Sequence, residues 1–205
     1  VVKTPHLDAL AAAGTRFTHA FTPAAICTPA RACIQTGLSP RKHGLIFNWE
    51  FWRFRGGELN LQPDTRCFSQ ELRDAGWNLA HIGKWHIGDV NTPADYGYEG
   101  EYYPGYGYPD KHPHYLAYLR RLGLDGFKLA EQLHDPSGSI LYYGRQEGPP
   151  ECSIPHYLAH QTVAAIERYS AAEKPFFISC NFWGPHAPFR IPDPYFSMYG
   201  PDGIE

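Results

Sequence analysis

Residues 65–86 read Thr65-Arg66-Cys67-Phe68-Ser69-Gln70-Glu71-Leu72-Arg73-Asp74-Ala75-Gly76-Trp77-Asn78-Leu79-Ala80-His81-Ile82-Gly83-Lys84-Trp85-His86. Residues 65–75 carry apolar and polar positions at helical spacing, and Gly76 supplies the stop. Trp77 to Ile82 is a short apolar run of strand length. The same order recurs downstream: His156 to Ala172 reads as a long helix, and Pro175 to Asn181 as a second buried strand. Helix and apolar strand in alternation predict an α/β fold with a mostly parallel sheet flanked by helices. Such sheets bind ligands in the loops past strand ends. Lys84 and His86 fall just past the first strand, and His186 just past the second.

Upstream, Thr4-Pro5 is an N-cap and N1 pair for a helix through Ala13, ended by Gly14. Arg16 to Phe21 alternates and is expected to be a strand. Residues 29–36 form a further short helix, and His43-Gly44 reads as a structural turn behind it. Residues 95–115 interleave Tyr96, Tyr98, Tyr102, Tyr103, Tyr106, Tyr108 and Tyr115 with Gly and Pro. They read either as a structured surface loop or as an aromatic wall for a sugar or aryl substrate. Residues 112–122 and 126–134 read as short helices. No internal repeat or inter-domain linker interrupts the 205 residues.

Composition narrows the function classes. The chain is 43% apolar with a formal net charge of −3, enough for one core and without the basic footprint of a nucleic-acid binder. No apolar run approaches the length of a membrane span, and no secretory leader is visible. The five cysteines, at 27, 33, 67, 152 and 180, follow neither a small disulfide scaffold nor paired zinc-ligand spacing. His112-Pro113-His114 could belong to a metal site, but two ligands on one loop carry little weight.

The chemistry centres on Ala25-Ile26-Cys27-Thr28-Pro29-Ala30-Arg31, a C-x-P-x-R grouping. Pro29 suits the first turn of a helix, so Cys27 lies at or just before a helix N-terminus. Orphan N–H groups and the helix dipole there favour negative charge. Arg31 lies about one turn further in and carries a permanent cation. A free cysteine is usually a small buried apolar residue; this setting instead suits an activated thiol, or a group made from one.

Together with Thr36-Gly37, this run resembles the signature of the type I sulfatases of the alkaline-phosphatase superfamily. Gly83-Lys84-Trp85-His86 resembles that family's G-K-W-H element, and Gly184-Pro185-His186-Ala187-Pro188-Phe189 its P-H-x-P segment. Thr4-Pro5-His6-Leu7-Asp8-Ala9-Leu10, with Gly14 and Phe17, resembles the lead-in to the cysteine. The sequence departs from the family pattern at Gln35, Trp77 and Leu79, all packing positions.

The resemblance implies an alkaline-phosphatase-like fold and a sulfuric ester hydrolase. It implies that a formylglycine-generating enzyme oxidises Cys27 to formylglycine, and that a hydroxyl of the aldehyde hydrate attacks sulfur. Sulfate then stays attached until the second hydroxyl loses its proton, the aldehyde re-forms and sulfate leaves. Arg31 would orient the hydrate and Lys84 would bind a sulfate oxygen. His86 would act as general base for sulfate expulsion. His186 would bind the sulfate or ester oxygen and share in protonating the leaving group. Lys84 and His86, two positions apart, would point the same way on extended backbone. Asn181 and Trp183 would line the pocket.

The family's divalent ion, generally Ca²⁺, would be held by oxygen ligands and by formylglycine at position 27. Its remaining ligands match nothing in residues 1–205. The chain therefore reads as a partial N-terminal sulfatase catalytic domain, inactive in isolation. The substrate would be a sulfated small molecule or glycan, and the compartment periplasmic, secreted or lysosome-like. Hydrolysis of phosphonate monoesters or phosphodiesters is the alternative within the superfamily, and a non-catalytic carbohydrate-binding fragment is the alternative outside enzymes.

Overall fold

The computed structural model describes residues 2–103 and 109–200. Helices α1 (Pro5–Ala13), α2 (Cys27–Thr36), α3 (Pro40–His43), α4 (Trp49–Trp52) and α5 (Phe68–Asp74) precede the first strand, β1 (Asn78–Lys84). Then come β2 (Tyr102–Tyr103), α6 (Pro113–Leu122), β3 (Lys128–His134), β4 (Leu141–Glu147), α7 (Ile154–Ser170), β5 (Phe176–Asn181) and β6 (Phe189–Pro192).

β1 is the centre of a parallel sheet of order β2-β1-β5. Its ladder with β5 runs from Asn78↔Phe176 to Gly83↔Asn181, so the two strands end level and their following loops leave the same end of the sheet. Successive side chains of β1 point to opposite faces. Leu79 joins Leu45, Leu61, Trp85, Tyr96 and Tyr98 on one face, and Ile82 joins Tyr115, Tyr157 and Leu158 on the other. α5 packs on β1, and α7 packs on both β1 and β5. Cover on both faces buries six of the strand's seven residues, the polar His81 and Lys84 among them. Gly83 lets the strands close up: at φ +99° a Cβ there would lie 2.1 Å from the Asn181 carbonyl oxygen.

Two sequence expectations fail. Lys128–His134 is a strand, not a helix. It pairs antiparallel with β4, from Lys128↔Glu147 to His134↔Leu141. The connecting turn is closed by Asp135, whose carboxylate accepts from the Ile140 N–H at 2.6 Å and the Ser137 N–H at 3.3 Å. Lys, Leu, Ala, Glu and Gln favour helix locally, but the hairpin pairing overrides that preference. β6 adds in parallel to β4, giving a second sheet of order β3-β4-β6. Arg16–Phe21, in turn, is irregular, with Phe17 and Phe21 exposed. Alternation makes a strand only beside a partner, and among the described residues none pairs with it.

The described tyrosines of residues 95–115 correct the surface-loop reading, since most of them pack in the core. Tyr96, Tyr98, Tyr103 and Tyr115 are buried core residues; Tyr106 and Tyr108 lie outside the described residues. Gln35, one of the departures from the family pattern, is buried and accepts a hydrogen bond from the Tyr98 hydroxyl at 3.0 Å. His43 is structural: its Nδ1 accepts from the Leu45 N–H at 3.1 Å, and its Nε2 lies 3.3 Å from Cys33 Sγ.

Candidate active site

Ile26 is extended and Cys27 is the first residue of α2, half-buried at its N-terminus. Pro29 falls in the first turn, where its missing N–H has no helical partner to lose. The Thr28 N–H donates to Asn48 Oδ1 at 2.9 Å, tying the helix start to the loop before α4. At the other end Gly37 takes the left-handed conformation (φ +67°), and its N–H caps the Cys33 carbonyl.

Arg31 joins this helix to the sheet. Its Nη1 donates to the Lys84 carbonyl at 2.7 Å and, at the longer distance of 3.5 Å, to Asn181 Oδ1. One guanidinium thus reaches from α2 to the last residues of both β1 and β5. His81 Nε2 lies 3.3 Å from the same Lys84 carbonyl, so Nε2 carries the proton. Burial lowers the His81 pKa to about 4 and leaves the ring neutral.

The Lys84 side chain is buried, with the residue only 2% exposed. It is not a solvated surface charge, and a buried cation needs a compensating anion. Burial lowers the pKa values of Lys84 and Arg31, while a negative charge at Cys27 favours the charged form of each. Glu50 also favours the charged form of Lys84. Trp183, by contrast, packs edge-on to Tyr103 with ring centres 5.2 Å apart and belongs to the core rather than to a pocket wall.

His86 has φ +58°, so the chain turns as it leaves β1 and the extended relation between Lys84 and His86 does not hold. The two remain electrostatic neighbours. Burial, then the charges of Lys84 and Arg31, then His186, hold the His86 imidazole down at about 3. His86 Nε2 lies 2.8 and 3.1 Å from the two carboxylate oxygens of Glu50. A neutral ring donates there through Nε2–H and keeps its lone pair on Nδ1. Burial raises the pKa of Glu50.

Glu50, on α4, escaped the sequence reading. Its signal is a lone acid inside the aromatic run Phe47-Asn48-Trp49-Glu50-Phe51-Trp52. His186 lies on the exposed loop after β5, and its Nδ1 is 2.6 Å from the Ala187 carbonyl. That proton is committed to Ala187, so in the neutral ring Nε2 carries the lone pair.

The structure thus brings Cys27, Arg31, Lys84 and His86 together, with His186 close enough to bias His86. It does not build a Ca²⁺ cage from them. Among the described residues no group of three His, Cys, Asp or Glu ligands surrounds Cys27. The carboxylate nearest this chemistry, Glu50, is held by His86. These residues alone do not fit the ion.

A family model described as Sulfatase matches residues 1–202. The chain belongs to the sulfatase family. It is 28% identical over 209 residues to the ulvan-active sulfatase of Formosa agariphila, covering 99% of this chain and 35% of that protein. It is 26% identical over 209 residues to iduronate 2-sulfatase of Homo sapiens, covering 100% of this chain and 34% of that one. This sulfatase chain therefore spans about a third of the length of those relatives.

Among solved structures, Ps i-CgsB in complex with k-i-k-neocarrahexaose aligns with a TM-score of 0.62 and 26% identity, over 90% of this chain and 40% of that one. The phosphonate monoester hydrolase of Agrobacterium radiobacter aligns with a TM-score of 0.68 over 100% of this chain and 40% of that one; at 24% identity it shows likeness of fold alone. The alkaline-phosphatase-like α/β fold expected from the sequence is the fold found. No helix among the described residues is long and apolar enough to cross a membrane.

Proposed function

We propose that the protein containing this chain hydrolyses sulfate esters with a formylglycine made from Cys27 by a formylglycine-generating enzyme. One observation carries the reading: the half-buried Arg31 guanidinium bonds the Lys84 carbonyl at 2.7 Å, setting it and the buried Lys84 beside the residue at a helix N-terminus. A thiol kept only for packing has no use for that charge.

Formylglycine, once formed and hydrated, would supply an oxygen nucleophile and a route for releasing sulfate. Arg31 orients the group at position 27. Lys84 offers a compact point charge to a sulfate oxygen. His86 holds Nδ1 as its basic nitrogen while Glu50 fixes the ring. An arriving anion would offset Lys84 and Arg31 and so raise the basicity of His86. His186 presents Nε2 to the ester oxygen. Ca²⁺ would be completed by oxygen ligands outside residues 1–205. In this reading residues 1–205 are part of the N-terminal catalytic domain, and turnover by the purified 205-residue chain alone would overturn it.

A sulfated glycan fits the family relatives best as substrate class, and a periplasmic, secreted or lysosome-like compartment fits such a substrate. The test is mass spectrometry of the Cys27 peptide from a host with the converting enzyme. Replacing CH₂SH by CHO lowers the mass by about 18 Da, unlike any thiol oxidation product. An unconverted thiol refutes the nucleophile. Comparing kcat/KM for a sulfate and a phosphonate ester of one aryl alcohol then fixes the reaction class.

A further inference from the structure

A second set of ligand-type side chains lies outside the Cys27 group. Glu101 directly precedes β2, His112 directly precedes α6, and His114 sits in the first turn of α6. Each brings one ligand atom within 4.8 Å of the others. His114 Nδ1 is 2.8 Å from Glu101 Oε1. His112 Nδ1 is buried and, among the described residues, has no hydrogen-bond partner. Its ring is fixed edge-on to Tyr103 at 4.7 Å and to His114 at 5.2 Å.

Glu101 is itself held from behind. Tyr157 and Tyr103 donate to Oε2, and Gln161 Nε2 donates to Oε1 at 2.8 Å. Hydrogen bonds of this kind orient ligating carboxylates in metal sites. A buried nitrogen without a partner keeps the cost of its lost hydration, so His112 gains from any ligand that fills it. Ligand atoms on one tetrahedral zinc lie about 3.3 Å apart, which side-chain shifts of about an ångström would reach from here. The N-terminus of α6 disfavours a cation, and the Glu101 charge offsets that. His114 is exposed, which opens a path for entry.

We propose that Glu101, His112 and His114 bind a transition-metal ion of the Zn²⁺ class, with water completing the coordination. Two imidazoles and one carboxylate suit Zn²⁺ rather than Ca²⁺, which takes six or more oxygen ligands. Glu101 and the two histidines flank residues 102–111, so the ion would tie the approach to β2 to the start of α6.

The full-length protein is stripped of metal, saturated with Ca²⁺ and titrated with Co²⁺, whose visible bands report tetrahedral nitrogen and oxygen ligation. One equivalent is expected to bind and to be displaced by Zn²⁺. His112→Ala and His114→Ala are each expected to weaken binding by more than the about 100-fold that loss of a partner behind a ligand causes. Cys27→Ser is expected to leave the affinity within about twofold, as for an independent site. No saturable Co²⁺ spectrum in the parent, unchanged affinity in His114→Ala, or loss of the spectrum in Cys27→Ser would each overturn the proposal. If His112→Ala fails to fold, the exposed His114→Ala decides alone.

Discussion

Glu50→Ala tests the site where the structure adds most to the sequence. Glu50 accepts from His86 Nε2 at 2.8 Å with its second oxygen at 3.1 Å, and His86 is wholly buried. A hydrogen bond to an ionised acceptor contributes about 1.5–3 kcal/mol. If that bond holds the ring so that Nδ1 is the base, its loss should lower kcat/KM by about 10- to 150-fold, at about 1.4 kcal/mol per factor of ten. Removing the carboxylate also leaves Lys84 less neutralised, so affinity for an anionic ester should hold or rise. The effect should therefore fall on kcat. Glu50→Gln keeps an acceptor without the charge and should recover part of the rate. The assay is steady-state hydrolysis of an aryl sulfate by the full-length protein. A variant within about twofold of the parent, or a loss confined to KM, refutes the positioning role.

Acid should destabilise the fold. His81 and His86 are held at about 4 and about 3 in the folded state, below the ordinary histidine value. The unfolded chain therefore binds protons first, and stability is lost as pH falls from about 6.5 towards about 4. From pH 6.5 to 5.5 the two together should cost roughly 2 kcal/mol; a urea midpoint flat across that interval contradicts this. Gly83→Ala should destabilise by at least about 3 kcal/mol, because its Cβ meets the Asn181 carbonyl oxygen 2.1 Å away at φ +99°. Gly37→Ala, at φ +67° in open space, is the control and should cost only about 1 kcal/mol; equal losses in the two variants would disprove the close-approach argument.

The central sheet was legible because its strands are apolar on both faces and its helices end at glycine or begin at proline. Trp77 to Ile82 and Pro175 to Asn181 needed no tertiary knowledge to read as strands, although the second is half-buried throughout rather than buried. Lys128–His134 did, since its residues favour helix and only the partner strand at Leu141–Glu147 makes it extended. Cys27, Arg31, Lys84, His86 and His186 stood out through compact motifs. Glu50 and Glu101 did not, because each acquires meaning from a partner far along the chain: His86 for one, and His114, Tyr157 and Gln161 for the other. A motif shows which residues carry chemistry, but not which carboxylate steadies them.

Arg31's grip on the Lys84 carbonyl has a consequence for timing. The guanidinium is planar and is anchored to backbone that belongs to a sheet, so it cannot swing out to wait in solvent. The work of bringing the half-buried Arg31 charge beside the buried Lys84 charge is done once, as the chain folds. A sulfate ester bound there, as proposed, would meet fields already aligned and need not reorganise the protein to feel them. On the proposed reading, the Arg31 charge and the Lys84 charge, the latter partly offset by Glu50, are in place between the helix end and the strand ends before any sulfate ester arrives.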